Sequence, residues 1–292
     1  MQVMETTYKA LFTADQMKAA GATAQIAVVP LRRGLTLLSG AGGNILVLFG
    51  PDGAVAVDSG LSTAQAQISK ALAAVTVEPL RYLINTHCHF DHAGGNEWMH
   101  SAGAEIIAQE RARLRMDSEQ IIPAFDAVVP PSPSSALPTV LFAQSQTLAV
   151  NDEVIQLRRH TPAHTDTDIS VFFAKANVLH TGDTWFHGIY PFIDYDNGGS
   201  IRGMLAASAE NLSLANSETI VVPGHGEAGD RNDLLDFHEM LLSVCDKVAA
   251  LKKSGDSVEA VVAARPTLPF DEAWGGGFIP PDLFVSLVYR GL

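Results

Sequence analysis

The sequence predicts an α+β fold of two similar αβ layers packed face to face, an expectation carried by three observations. The 292 residues are 47% apolar and 17% charged, enough to bury a sizeable core. Short apolar runs broken by glycine or proline alternate with longer helical stretches. The two halves of the chain follow that alternation in the same order, without close sequence repetition.

Each element has its own local reason. Residues 8–20 read as a weakly helical arm. From residue 25, β-type runs occupy 26–29, 35–38, 44–49 and 54–58, and Gly50-Pro51-Asp52-Gly53 joins the last two as a hairpin, because Pro presets φ and Gly accepts φ > 0. Ser62 reads as the N-cap of an alanine-rich helix over 62–75, followed by a strand at 81–85 and a histidine-rich loop. A helix at 96–102, a strand at 105–108 and a helix at 109–116 come next. Arg111, Arg113 and Arg115 on that last helix read as a solvated face. Pro123, Pro130, Pro131, Pro133 and Pro138 predict a long surface loop over 121–139 with no regular element, and loops of this length often serve as lids. Strands resume at 147–150, 153–158, 169–173 and 177–179. A helix at 204–215, a strand at 219–222 and a long helix at 232–253 follow.

Composition excludes several functions. No apolar run approaches the 18 or so residues of a membrane span. The net charge of −13 would repel a phosphate backbone, so nucleic acid is not an expected partner. Cys88 and Cys245 are too few for a disulfide framework. Glu5, Lys9, Asp15 and Lys18 interrupt the stretch a secretory signal would need, so the expected location is cytoplasmic if the chain is complete, and periplasmic or secreted if a signal has been removed.

The chemistry concentrates in Asn85-Thr86-His87-Cys88-His89-Phe90-Asp91-His92-Ala93-Gly94-Gly95. Chance assembles such an H-x-H-x-D-H string in about one chain in a thousand of this composition. His87 and His89, two apart at a strand end, project to the same side and can reach one ion, while Asp91 and His92 turn toward a neighbouring one. Cys88 between them should point the opposite way, into packing. Imidazole and carboxylate donors suit zinc, with iron or manganese as alternatives. Further strand ends carry His164, Asp183 and His225 beside Gly or Pro, the pattern by which a sheet edge assembles a convergent site. His100, His160 and His238 read as packed or exposed. His180 and His187 flank Asp183 without clear ligand roles.

These motifs resemble those of the metallo-β-lactamase superfamily, over about residues 25–242. The resemblance implies an αββα four-layer sandwich, with an arm at 1–24, a catalytic domain at 25–254 and a tail at 255–292 packed on that domain. It also implies a dinuclear zinc site: His87, His89 and His164 on one ion, Asp91, His92 and His225 on the other, and Asp183 bridging. Asp58 matches a family position beneath the metal loop, where it would accept hydrogen bonds or cap a turn. A water shared by the two ions would lose its proton and attack a carbonyl carbon, oriented by Asp91 and Asp183 as the catalytic carboxylates.

Departures within the family narrow the substrate. Val221 to Asp230 is similar to the matching stretch of first-subclass class B β-lactamases, yet those enzymes carry cysteine in place of Asp183 and no histidine in place of His92. The ligand set is that of glyoxalase II-like enzymes and lactonases. The short tail lacks the look of a glutathione-holding domain. The lysine with which first-subclass β-lactamases grip the drug's carboxylate is replaced by Phe186. With Trp185, Tyr190 and Phe192 it predicts an apolar wall beside the ions, unless Arg202 or another arginine supplies the charge. The expected activity is hydrolysis of a small-molecule cyclic amide, ester or lactone, with β-lactamase-like activity native or promiscuous. A glyoxalase II-type thioesterase and an iron-dependent oxidoreductase are the alternatives.

Overall fold

The computed structural model describes residues 8–292, so the first seven residues of the predicted arm lie outside it. Helix α1 (Ala14–Gly21) opens with a capping box, in which the Thr13 hydroxyl accepts from Gln16 N and the Gln16 side chain accepts from Thr13 N. Strands β1 (Ala27–Pro30), β2 (Leu35–Ser39), β3 (Ile45–Leu48) and β4 (Ala54–Val57) form an antiparallel meander. Helix α2 (Gln65–Val75) returns the chain so that β5 (Leu80–Ile84) lies parallel to β4. Short helices α3 (Phe90–Ala93) and α4 (Asn96–Ser101) lead to β6 (Glu105–Gln109), parallel to β5, and then to α5 (Glu110–Met116). A ribbon of β7 (Gln120–Ile122) and β8 (Ala127–Val129) pairs only with itself, and β9 (Val140–Phe142) closes the first sheet beside β6. The second sheet comprises β10 (Ser145–Val150), β11 (Glu153–Arg159), β12 (Ile169–Phe173) and β13 (Val178–His180), all antiparallel. Helix α6 (Ile201–Leu214) then brings β14 (Ile220–Val222) parallel to β13. Helices α7 (Arg231–Lys253), α8 (Val258–Ala263), α9 (Asp271–Trp274) and α10 (Pro281–Gly291) complete the chain.

The layering follows from strands that are apolar on both faces. Leu46, Leu48, Val55 and Val57 turn toward Ile155, Leu157, Val171 and Phe173 of the facing sheet. Their neighbours Ile45, Val47 and Ala56 turn the other way, against Ile68 and Ala71 of α2 and Met99 of α4. On the far side, Leu179 and Val221 meet α6, α7 and α10 through Met204, Phe237, Leu241 and Phe284. The result is the four-layer αββα order.

Three expectations change. Ser62 does not cap α2: it opens a single 3-10 turn over Ser62–Ala64 with no side-chain capping bond. Residues 121–139 are not irregular throughout, because the prolines avoid the ladder. Pro123 starts a 3-10 turn at the ribbon tip, where its missing N–H costs nothing, and Pro130 and Pro131 follow β8. Arg111 and Arg115 are not merely solvated, since both pair with Asp166 at 2.8 and 2.9 Å.

Candidate metal centre

The site forms where strands of both sheets end. Thr86 to His92 follow β5, His164 lies between β11 and β12, Asp183 follows β13 and His225 follows β14. Two donor groups result, His87 with His89, His164 and Asp183, and Asp91 with His92 and His225, the donor atoms of each lying within 4.8 Å of one another. Asp183 faces both. Its Oδ2 is 3.3 Å from His164 Nε2 and 3.5 Å from His225 Nε2, and its Oδ1 is 3.1 Å from His92 Nε2.

Four of the five imidazoles, those of His87, His89, His92 and His164, are oriented by what their outer nitrogen meets. Asp58, held at φ 63° and fully buried, accepts from Thr86 N, from the Thr86 hydroxyl and from His92 Nδ1–H at 2.8 Å. The Thr86 hydroxyl has spent its hydrogen on Asp58, so at 3.0 Å it accepts from His87 Nδ1–H. The Phe192 carbonyl accepts from His164 Nδ1–H, and Asp194 Oδ2 accepts from His89 Nε2–H at 2.9 Å. Carboxylates and carbonyls only accept, so Nε2 of His87, His92 and His164 and Nδ1 of His89 are left facing inward. Two glycines allow the close approach. A Cβ on Gly43 would overlap the His92 ring, and one on Gly224 would sit 1.8 Å from Asp183 Oδ1.

The charges fit a cation. Among the described residues, the buried His87 Nε2 has no hydrogen-bond partner. Burial, reinforced by His92, holds His87 well below the usual histidine range, and burial pushes His164 down to about 4, so both present lone pairs. For His92, burial acts downward but Asp183, Asp91 and Asp58 together carry it well above the usual range. Against the same burial, Asp183 and Asp91 raise His225 to about 9. Burial would raise Asp183, yet His92, His225 and His164 hold it well below the carboxylate range. Two divalent cations would replace the protons that His92 and His225 carry.

The pocket beside the cluster is lined by Met17, Phe90, Ile122, Phe125, Phe186, Phe192 and Phe278, together with donor residues, and among the described residues no Lys or Arg lines it. The predicted apolar wall is therefore present, but Trp185 and Tyr190 are not in it. Trp185 has extended backbone, so it points away from its neighbour Phe186 and stacks on His187, while Phe186 stacks on His225 at 15°. Tyr190 stacks on Phe284 in the helical layer and donates its hydroxyl to Asp271. Arg202 is not among the residues lining the pocket and donates to the Leu292 main-chain oxygen. Cys88 is packed with Ala108, Ala112 and Leu137 as expected, although it lies in the bend after β5 and not in the strand itself. His180 bonds to backbone at Asn44 and Gly182, His187 to the Glu227 carbonyl and His100 to the Ala104 carbonyl. His160 pairs with Glu210, and His238 with Ser208. The sequence reading missed Asp194, Met17, Phe125 and Phe278. Asp194 lies in Pro191-Phe192-Ile193-Asp194, a strand-like run ending in an acid, which is a signal of the kind that drew attention to Asp183.

The model of the metallo-beta-lactamase superfamily matches residues 38–225, and the chain belongs to that superfamily of metal-dependent hydrolases. A hydroxyacylglutathione hydrolase of Rhodospirillum rubrum is 30% identical over 209 residues, 70% of each chain. A probable metallo-hydrolase of Methanocaldococcus jannaschii is 30% identical over 61% of this chain and 84% of its own. Among solved structures, the secondary-alkylsulfatase Pisa1 of a Pseudomonas species has a TM-score of 0.69 at 14% identity, covering 96% of this chain. This chain spans about half of the sulfatase (53%). A metallo-beta-lactamase of Cronobacter sakazakii has a TM-score of 0.65 at 18% identity, over 81% of this chain and 98% of its own. Both show the same fold.

Proposed function

We propose that this protein is a dinuclear zinc hydrolase of small, uncharged esters, lactones or cyclic amides that carry an apolar arm. One observation carries the reading: seven inward-facing donor residues, Asp183 among them, converge beside a wall whose described residues include no Lys or Arg. His87, His89 and His164 would hold one ion and Asp91, His92 and His225 the other, with Asp183 between them. Such ions, when bound, lower the pKa of a water and polarise a carbonyl oxygen. The chain's own part is positional. Asp91 and Asp183 orient the attacking water through their carboxylate oxygens, Asp58 and Asp194 fix the imidazoles, and Phe186 and Phe192 exclude bulk water and seat the arm. Met17 and Phe278 extend the site into the arm and tail, which belong to the same working unit.

A second reading, thioester hydrolysis, is supported by the kinship with hydroxyacylglutathione hydrolases. A thioester carbonyl is equally neutral, but glutathione's carboxylates would find no cation in this wall. Lys18 stands over the Phe90 ring with Nζ 5.3 Å from its centre and is not among the lining residues.

The test has two parts. Elemental analysis of protein never exposed to chelator should give two zinc ions per chain, and one or fewer, unchanged by added zinc, overturns the dinuclear reading. Steady-state kinetics should then show higher KM for carboxylate-bearing β-lactams than for matched neutral lactones by about ten- to a hundredfold, the cost of one missing charge-assisted contact. A low micromolar KM for β-lactams, with neutral lactones ignored, overturns the substrate reading.

A further inference from the structure

We propose that Phe125, Phe278 and Met17 form a movable gate over the metal centre and determine which substrate arm it admits, an inference that rests on the hydrolase reading above. As it stands, the pocket encloses about 20 Å³. A single water needs roughly 10–15 Å³ on the same measure, and sites for small organic ligands run to hundreds. A lactone ring with any substituent enters only if lining side chains move.

The lining divides into fixed and removable parts. Phe186 is held by its backbone bridge to His225, and the Phe192 carbonyl orients His164, so displacing either disturbs a donor. Phe125, Phe278 and Met17 belong to three segments at the margins of the fold. Phe125 is at the tip of the β7–β8 ribbon, which pairs with neither main sheet. Phe278 follows Gly275-Gly276-Gly277 in the turn before α10, and Met17 is on α1. The two phenylalanine rings close the site: the Phe278 ring centre lies 5.3 Å from that of His225, 6.3 Å from Phe186 and 6.0 Å from Phe125, and Phe125 meets Phe192 edge-on at 5.0 Å.

A single strap ties these parts together. Lys9 Nζ donates to Asp126 Oδ1 and to the Pro123 carbonyl, both at 2.6 Å, Ala10 N donates to the Ala124 carbonyl, and Leu11 N donates to the Phe278 carbonyl. The Lys9–Asp126 pair is solvent-exposed, and ion pairs of that kind hold weakly. Releasing the strap frees the ribbon tip and Phe278 together. The space then vacated is bounded by phenylalanine rings and Ile122, which suits an aryl or branched alkyl arm on a neutral ester or lactone.

The experiment locks the strap with Ala10→Cys and Ala124→Cys, residues already joined by a backbone hydrogen bond, in the full-length metal-loaded protein. Two rates are read before and after reduction: metal removal by the chromogenic chelator 4-(2-pyridylazo)resorcinol, and hydrolysis of 4-nitrophenyl esters of rising acyl length. The gate predicts that the oxidised form is at least tenfold slower in both and recovers on reduction. Equal rates in oxidised and reduced forms overturn it. Chelator access that responds to the lock while no ester is cleaved in any form upholds the gate and removes the ester reading of the site. If the disulfide fails to form, Phe125→Ala and Phe278→Ala decide: metal stripping about tenfold faster with preference shifted to longer acyl arms supports the gate, and an unchanged stripping rate and length preference overturns it.

Discussion

Asp194 offers the sharpest test of how the donors are held. Its Oδ2 accepts from His89 Nε2–H at 2.9 Å and from Asn197 Nδ2, while its Oδ1 accepts from the backbone N–H of Asp196 and Asn197. Both oxygens thus face donors only, and the His89 contact is what turns Nδ1 inward, 2.8 Å from His164 Nε2. Asp194→Ala removes an acceptor held beside the His89 ring and allows that ring to rotate or change tautomer. One lost hydrogen bond to a charged partner is worth about 1.5–3 kcal/mol. That matches the roughly 10- to 100-fold loss of metal affinity typical when the group behind a histidine ligand is removed. Asp194→Asn should be no better than alanine despite its shape, since its NH₂ group would confront donors in either orientation. Competition for zinc with a chromophoric chelator measures both variants, with circular dichroism to confirm folding. Affinity within twofold of the parent in Asp194→Ala, or parental affinity in Asp194→Asn, would show that Asp194 does not position His89.

Other substitutions and conditions separate parts of the same picture. Gly224→Ala places a Cβ 1.8 Å from Asp183 Oδ1, so the carboxylate must retreat by about 1 Å or more; kcat/KM should fall roughly a hundredfold with the far-UV spectrum unchanged, and parental turnover would contradict the shared position of Asp183. Metal loading at pH 7 should release protons, because His92 and His225 carry them in the metal-free protein; calorimetry in two buffers of different ionisation enthalpy reads this, and an identical heat in both refutes it. The sign for stability follows from the same groups: with His225 raised from about 6.5 to about 9, its contribution to the metal-free fold is complete below pH 6.5 and is lost as pH climbs to 9. Thermal melts of metal-free protein should therefore shift downward across that interval, and a melting temperature that rises instead would overturn the assignment.

What the sequence discloses about this site is what local geometry encodes. His87, His89, Asp91 and His92 are close in the chain, and their spacing alone keeps them together, in the loop after β5 and on the short helix α3 that follows. His164, Asp183 and His225 are far apart, but Asp183 and His225 follow the apolar strands β13 and β14, His164 sits in the loop between β11 and β12, and these neighbouring strands open onto one edge. The tautomer-setting groups are harder, because Asp194 acts on His89 across 105 residues and nothing in the spacing links them. Phe186 was legible as a wall residue and Trp185 was not excluded from it, since period-two alternation settles which of two adjacent aromatics faces inward only once the backbone is known to be extended there. The ribbon over 120–129 is hidden in the sequence by Pro123 and by the prolines that follow it, which mark turn positions rather than the absence of strands. Met17 and Phe278 come from opposite ends of the chain and meet through tertiary packing alone.

The same distinction explains how so many ionisable groups are tolerated in one buried place. Four histidines and four aspartates, Asp58, Asp91, Asp183 and Asp194 among them, are each almost wholly removed from water around the donors. Burying isolated charges is prohibitive, so outer atoms of the set are given partners: Thr86 and His92 on Asp58, and Asn197 and His89 on Asp194. The inner atoms are left facing one another, with His92 Nε2 3.2 Å from His225 Nε2. Without metal, that arrangement persists only by taking up protons; with metal, the same atoms are satisfied without them. A fold that spends its outer hydrogen bonds on orientation and leaves its inner lone pairs unmatched is one whose stability is linked to cation binding, and chelation should lower its melting temperature by more than any single surface substitution does.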